Sequence, residues 1–194
     1  MSPQAWWEVT SPPPDLAQQC SQLVSAQAPE GDLSTAQLAV LVQQIASTPS
    51  LWEPLQIRDT TRRRYRLLYE DDRIDVWVLS WMPGQGTGFH DHDLSGVALI
   101  CAQGMVVERQ MQLPSGATRI EMEVGLTREG GPGYIHSVAY GHGDPAISIH
   151  AYSPPLMRVG QFSVDEEGIM YRRITHGRQE LMDNTIAERD PSRA

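Results

Sequence analysis

The chain of 194 residues is long enough for one well-buried domain, and its 40% hydrophobic and 20% charged residues are ordinary for a globular protein. Its net charge of -9 argues against binding by phosphate neutralisation, because nucleic-acid partners normally demand a basic surface. There is no run of about 18 apolar residues to cross a bilayer and no basic leader before an apolar stretch, so we expect a cytoplasmic protein. Its two cysteines, Cys20 and Cys101, do not suggest a disulfide framework.

The first predicted elements are two amphipathic helices. Residues 16–26 and 33–46 place leucine, valine, isoleucine and alanine at helical spacing, and either Asp32 or Ser34 could cap the second helix. After this region the hydrophobic period changes to two. Residues 74–81 then alternate in the manner of a strand with both faces partly covered.

Short apolar or alternating runs follow, separated by turns rich in proline and glycine. They occupy residues 96–102, 105–112, 117–124, 137–140, 146–152 and 156–164. Such short strands with such regular turns are typical of a sandwich or a barrel, so we expect an all-β core. We further expect one domain over residues 1–194, which is mainly helical over 1–60, a β-barrel over 61–175 and a polar tail over 176–194.

The most informative stretch is the glycine-rich approach to His90 and His92. Alternate side chains of a strand share a face, so these two imidazoles can share one metal while Asp91 points elsewhere. With Gly104 further along, the stretch resembles the first motif of the cupin family, whose double-stranded β-helix forms a jelly-roll-like barrel with a metal inside. The glycine- and proline-rich segment that ends at His136 resembles the second cupin motif, which makes His136 the third ligand.

In many cupins a glutamate completes the metal site, but in this chain its place holds Val97. Asp93 directly follows a ligand and therefore points away from the shared face. The site is thus predicted to contain three neutral imidazoles and no carboxylate. A divalent ion there keeps its full charge and should attract an anionic ligand such as a thiolate. Zinc would suit three histidines equally well, so the ligand set does not identify the metal.

A third motif comprises Ser148, His150 and Tyr152, followed by Ser-Pro-Pro, and it resembles a segment of the cysteine dioxygenases. The resemblance runs over residues 65–162. It implies that the three histidines bind non-haem Fe(II), that a thiol and O2 bind there, and that the product is a sulfinic acid. It also implies a relay in which Ser148 holds His150 and His150 orients Tyr152, and their spacing of two places them on one face. The cysteine that crosslinks to this tyrosine in animal members is absent, because Val97 occupies its place.

Cysteine-type members of this family hold the substrate carboxylate with an arginine on the strand entering the barrel, whereas mercaptopropionate-type members have a glutamine. Counting back from the first histidine favours Arg64, and matching the following leucines favours a neighbour; we prefer Arg66, with Tyr65 between them. A bidentate arginine would select carboxylate-bearing thiols. Because residues 62–73 contain no glutamine, the expected substrate is L-cysteine, with 3-mercaptopropionate or another mercapto acid as the alternative.

The predicted protein is therefore an Fe(II)-dependent thiol dioxygenase that takes a small thiol and O2, needs no organic cofactor and works as a monomer without nucleic-acid or membrane partners. A non-catalytic cupin that binds a metal or a ligand is the rival from another class, and it leaves the Ser148, His150 and Tyr152 series without a purpose. A zinc or manganese isomerase is a third interpretation. Trp77 and Trp81, which precede the first histidine, are interpreted as core packing.

Overall fold

The computed structural model describes residues 11–112 and 115–176, and its N-terminal region is helical. The helical elements are α1 at Pro14–Gln27, α2 at Thr35–Ala46, α3 at Pro49–Trp52 and a 3-10 turn at Glu53–Leu55. Both predicted helices are confirmed, and Ser34 rather than Asp32 caps α2, because its Oγ accepts a hydrogen bond from the Gln37 amide. None of the helices in the described ranges is long and apolar enough to cross a membrane. Residues 177–194 of the predicted polar tail lie outside the described residues.

Antiparallel strands make up the rest of the described chain. They are β1 at Arg64–Glu70, β2 at Asp75–Trp81, β3 at His90–Asp91, β4 at Gly96–Gln112, β5 at Gly116–Glu123, β6 at Thr127–Gly130, β7 at His136–Ser153, β8 at Arg158–Val164 and β9 at Met170–His176. They form one sheet in the order β1-β2-β7-β3-β8-β9, with β4 pairing to β5, β6 and β7. The pairings of the described strands leave this sheet unclosed. The predicted all-β, cupin-type fold with an N-terminal helical region is confirmed.

Two strands are longer than the sequence pattern indicates. The predicted runs at 96–102 and 105–112 are one strand, β4, and the runs at 137–140 and 146–152 are one strand, β7, because the pairing continues through local irregularities. Gly104 lies at such an irregularity with a φ of 70°, and a Cβ at this position would collide with the carbonyl oxygen of His142. The glycine of the first cupin motif therefore allows β4 and β7 to stay paired across this bend.

The sheet separates two apolar clusters. On one face, α1 packs against β1, and α2 packs against β4, β6 and β7. The cluster on this face includes Leu38 and Leu41 of α2 and Val76 and Val78 of β2. The opposite face holds the second cluster, which includes Trp77, Leu79, Trp81, Val97, Leu99, Val106, Met122, Val138 and Tyr152. Because side chains of a strand alternate between faces, every residue of β2 is buried on one side or the other. The functional residues described below lie on this second face, away from the helices.

Candidate metal centre and active site

Three buried histidines converge at the start of β7. His90 pairs directly with His136 across β3 and β7, and His92 follows two residues after His90 on the same face. One nitrogen from each imidazole lies within 4.8 Å of the other two. The structure thus brings together all three histidines that the two cupin motifs indicate. In the part of the chain that the structure describes, these three form the only group that satisfies this metal-site geometry.

Hydrogen bonds of His90 and His136 fix which nitrogen these two rings present to the centre. Nδ1 of His90 donates to the Gly88 carbonyl oxygen at 3.0 Å, and Nδ1 of His136 contacts a carboxylate oxygen of Glu108 at 2.7 Å. Nε2 of His136 lies 3.4 Å from Nε2 of His92. Burial, with the neighbouring His136, lowers the pKa of His90 to about 3 and the pKa of His92 well below its usual value. Three converging imidazole nitrogens are a suitable ligand set for a divalent transition metal.

Glu108, in the middle of β4, is a buried carboxylate that the sequence analysis missed. Its Oε1 contacts His136 and accepts a hydrogen bond from the Tyr134 hydroxyl at 2.9 Å, and its Oε2 accepts one from Nε of Arg128 at 2.9 Å. Burial alone would raise the pKa of Glu108, but the hydrogen bonds from His136, Tyr134 and Arg128 lower it below the usual value. Glu108 is therefore charged and lies behind His136, outside the group of ligand atoms.

The predicted relay is assembled as a continuous hydrogen-bonded series. Ser148 Oγ lies 2.9 Å from Nε2 of His150, and Nδ1 of His150 lies 3.2 Å from the Tyr152 hydroxyl. The Tyr152 ring is centred 5.0 Å from that of His92, so the series ends beside the histidine cluster. Burial lowers the pKa of His150 well below its usual value, which keeps this imidazole neutral. The series is therefore a set of neutral groups.

Trp81 packs in the second apolar cluster, as predicted, and also extends the relay. Its indole Nε1 donates to Ser148 Oγ at 2.8 Å. An indole N–H can only donate, so Ser148 Oγ accepts this hydrogen bond. The Ser148 hydroxyl can then donate its own hydrogen bond to Nε2 of His150. In that case the proton of His150 is on Nδ1, which donates to the Tyr152 oxygen. No sequence pattern indicates this contact, since Trp81 and Ser148 belong to strands far apart in the chain. Trp77 also packs within the apolar cluster as expected.

The arginine that lies at the cavity is Arg63, a neighbour of the two predicted arginines. Arg63 lines the cavity beside the histidines, with its guanidinium 5.2 Å from the Trp81 ring centroid and its Nη1 donating to the Gly86 carbonyl oxygen at 3.2 Å. Arg66 and Arg64 lie on the opposite strand parity. Arg66 pairs with Val78 of the helix-side cluster.

The neighbours of Arg63 have other partners. Arg64 pairs with Ser80, and its Nη2 forms an ion pair with Asp59 at 2.7 Å. Tyr65 shares the cavity side of β1 with Arg63, but its ring packs edge-on against Trp77 at 5.8 Å instead of lining the cavity. Of the predicted substrate residues, Arg66, Arg64 and Tyr65 therefore do not line the cavity, whereas Arg63 does.

A small cavity joins these groups. Its lining residues are Arg63, Leu79, Trp81, Thr87, His90, His92, Val138, His150, Tyr152 and Leu156. The polar members are two metal-cluster histidines, two relay residues, Thr87 and the guanidinium of Arg63, and the others are aliphatic or, for Trp81, aromatic. This lining is suited to a small ligand with one anionic group and one metal-binding group.

Comparison with known families agrees with this arrangement. The family model described as "Cysteine dioxygenase type I" matches residues 8–165, which is most of the chain. The chain belongs to this family. Curated relatives include cysteine dioxygenase type 1 of Bos taurus, 26% identical over 135 residues, or 64% of this chain and 68% of the relative. The cysteine dioxygenase type 1 of Danio rerio is 28% identical over 133 residues, or 63% of this chain and 66% of the relative.

Solved structures with a similar fold include an uncharacterised protein with a double-stranded β-helix domain from Klebsiella pneumoniae. That protein is 17% identical, with a TM-score of 0.47 over 53% of this chain and 80% of its own. An RmlC-like cupin protein from Desulfovibrio desulfuricans is 16% identical, with a TM-score of 0.45 over 52% of this chain and 90% of its own.

The residue beside the relay tyrosine is aliphatic. Val97 of β4 pairs directly with Tyr152 of β7, so an aliphatic side chain stands where the crosslinking cysteine of animal members is expected. Cys101, four residues further along β4, pairs with Ser148, and burial raises the pKa of its thiol to about 11. A buried thiol with this pKa carries no thiolate at neutral pH and is an inert core group.

Proposed function

We propose that this protein is an Fe(II)-dependent thiol dioxygenase that oxidises L-cysteine with O2 to cysteine sulfinic acid. The observation that supports the proposal best is the convergence of three features on one cavity. These are the histidine cluster, the Ser148–His150–Tyr152 series and the buried guanidinium of Arg63. A chain of the cysteine dioxygenase family with these groups in one place has what the reaction requires.

His90, His92 and His136 would hold the ferrous ion through neutral nitrogens. When bound, the ion would supply a position for the thiolate and the means to activate O2. Arg63 would hold the substrate carboxylate by a charge-assisted pair, which places the sulfur next to the metal. Tyr152, oriented by His150, would donate a hydrogen bond to the substrate or to oxygen. The balanced reaction transfers both atoms of O2 to sulfur, so a thiol RSH becomes a sulfinic acid RSO2H.

The apolar wall has its own part in the proposal. Leu79, Val138 and Leu156 line the cavity on the sides that carry no polar group, and Leu156 and Val138 are almost fully buried. They would exclude water from the reacting sulfur and strengthen the pair between Arg63 and the substrate carboxylate, because charges interact more strongly in a medium of low polarity.

A mercapto acid without an amine is the second candidate substrate. Among the described residues that line the cavity, none is an aspartate or glutamate that could pair with the ammonium group of cysteine. The carboxylate and the thiol are therefore the groups that the protein itself can recognise. This observation favours 3-mercaptopropionate as a substrate alongside cysteine.

The test is an oxygen-uptake assay on protein that has been loaded with Fe(II) under anaerobic conditions. Cysteine, 3-mercaptopropionate and the carboxylate-free thiol cysteamine are compared, and products are identified by mass spectrometry after reaction with isotopically labelled O2. The proposal expects sulfinate from cysteine with both oxygens labelled, and the zinc-loaded protein as control should be inactive. Sulfinate from 3-mercaptopropionate alone would establish the second candidate. Metal binding without sulfinate from any thiol would establish the non-catalytic alternative.

We also propose that the protein acts as a monomer in the cytoplasm. Both cysteines, Cys20 and Cys101, are free and buried, which suits a reducing compartment. Size-exclusion chromatography with light scattering would test the monomer.

A further inference from the structure

Glu108 is an unusual residue for the interior of a sheet. Its side chain is 0% exposed, and a buried carboxylate is costly unless hydrogen bonds and opposite charge compensate it. Three donors compensate the charge of Glu108. Its Oε1 accepts hydrogen bonds from His136 and Tyr134, and its Oε2 accepts one from Arg128. The bond to His136 is, at 2.7 Å, the shortest of the three. An ion pair that only joined β4 to β6 would need Arg128 and would have no need of the histidine.

We propose that Glu108 is a positioning residue for the metal, and that it supplies through His136 the negative charge that a ligand set of three imidazoles lacks. This inference rests on the metal centre of the proposed function. A carboxylate on Nδ1 keeps the proton of His136 at that nitrogen and leaves Nε2 bare for the metal, while it also makes the imidazole a stronger donor. Arg128 and Tyr134 hold the carboxylate in place.

This arrangement explains how the site can lack the usual cupin glutamate. The place of that glutamate holds Val97, which lies beside Tyr152. Glu108 instead lies two residues along β4 from Gln110, the residue that pairs with His136, so it reaches the imidazole diagonally from the same face. Its charge acts on the metal through a ligand and takes up no coordination position. Those positions stay open for the thiol and for O2.

The experiment compares Glu108→Gln with the wild type by anaerobic titration with Co(II), whose visible absorption reports the ligand field. Glutamine keeps the shape of the side chain and removes its charge. We expect about a 10- to 100-fold loss of Co(II) affinity and a shifted absorption spectrum. The reconstituted iron form should also show a higher reduction potential, because less negative charge favours the ferrous state.

Two matched variants separate the metal role from a structural one. Glu121→Gln makes the same change on β5 in an exposed pair with Arg119, and it should leave Co(II) affinity unchanged. Arg128→Gln removes the ion pair but leaves the carboxylate on His136, so it should cost stability more than affinity. The inference is overturned if Glu108→Gln binds Co(II) with wild-type affinity and spectrum, or if Arg128→Gln weakens binding as much as Glu108→Gln.

A measurement on the wild type guards against a Glu108→Gln chain that does not fold. In protein labelled with 15N-histidine, NMR should find the His136 proton on Nδ1 both without metal and with zinc. A proton on Nε2 in the metal-free protein, or a wild-type chain that binds no divalent metal, would also overturn the inference. A wild type that binds Co(II) but makes no sulfinate would refute only the proposed reaction, since none of these measurements requires turnover.

Discussion

Replacement of Arg63 by glutamine tests the structural choice of the substrate arginine. The Arg63 side chain is almost fully buried against the Trp81 ring, so a carboxylate that reached it would form a desolvated, charge-assisted pair. Loss of one partner from such a pair costs about 2–5 kcal/mol. At about 1.4 kcal/mol for each factor of ten, the expected fall in kcat/KM is about 30-fold to 5,000-fold for cysteine and for 3-mercaptopropionate.

Cysteamine makes the assay specific, because it carries the thiol and the amine but no carboxylate. Its low rate of oxidation should be nearly the same in the wild type and in Arg63→Gln. Arg63→Lys keeps the charge but loses the planar guanidinium that can form two parallel hydrogen bonds. Its kcat/KM for cysteine should therefore lie between those of the wild type and Arg63→Gln. Oxygen uptake at several thiol concentrations gives kcat and KM separately for each variant.

Arg66→Gln is the matched control, since it makes the same change three residues further along, on the face of β1 that points away from the cavity. It should keep wild-type kcat/KM for every thiol. The reasoning from strand parity is refuted if Arg66→Gln loses as much activity toward cysteine as Arg63→Gln. It is also refuted if cysteamine oxidation falls in parallel with cysteine oxidation, because the arginine would then act on the metal site and not on the carboxylate.

Three further predictions concern the relay tyrosine, the indole that donates to Ser148 and the ion pair of Asp91. Tyr152→Phe removes only the hydroxyl, and it should lower kcat by about 100-fold without changing the iron content. Oxygen uptake and metal analysis check this. An unchanged kcat would contradict the proposed role of the Tyr152 hydroxyl as a hydrogen-bond donor. Trp81→Phe removes the donor to Ser148 and should lower the free energy of unfolding in urea by about 1–3 kcal/mol; wild-type stability would mean that this bond contributes nothing. Asp91→Asn breaks a two-point ion pair with the partly exposed Arg172 of β9. It should lower the free energy of unfolding in urea by about 1–2 kcal/mol. The loss should be smaller at high salt, because salt screens the ion pair.

The parts of the site that could be predicted from the sequence are those set by spacing within one strand. His90 and His92 share a face because they are two residues apart, and the same holds for Ser148, His150 and Tyr152. This prediction holds even when the ends of the strand are placed incorrectly. The third histidine came from a family motif, and the structure pairs His136 with His90 across two strands.

Contacts between strands could not be predicted in the same way. Glu108 meets His136 only because of the register of β4 against β7, which passes through three irregularities, and no local pattern of charge indicates it. The presence of Arg63 at the cavity was not predicted for a related reason. The pairing of β1 with β2 shifts between Leu67 and Tyr69, so a count along the chain does not preserve the parity of the residues before the shift.

The alternation along β7 explains how the N-terminal helices support the site without touching the cavity. Ile147, Ile149 and Ala151 face the helix-side cluster, whereas the relay residues between them face the cavity. If β7 slipped by one residue, the relay residues would be buried under α2 and the isoleucines would face the cavity. This slip would cost about 1.5–3 kcal/mol of folding free energy for each large apolar side chain that left the cluster. It would also leave the polar groups of the relay without hydrogen-bond partners. The apolar surface of α1 and α2 therefore favours a single register of β7, and this register places the hydroxyl of Tyr152 beside His92.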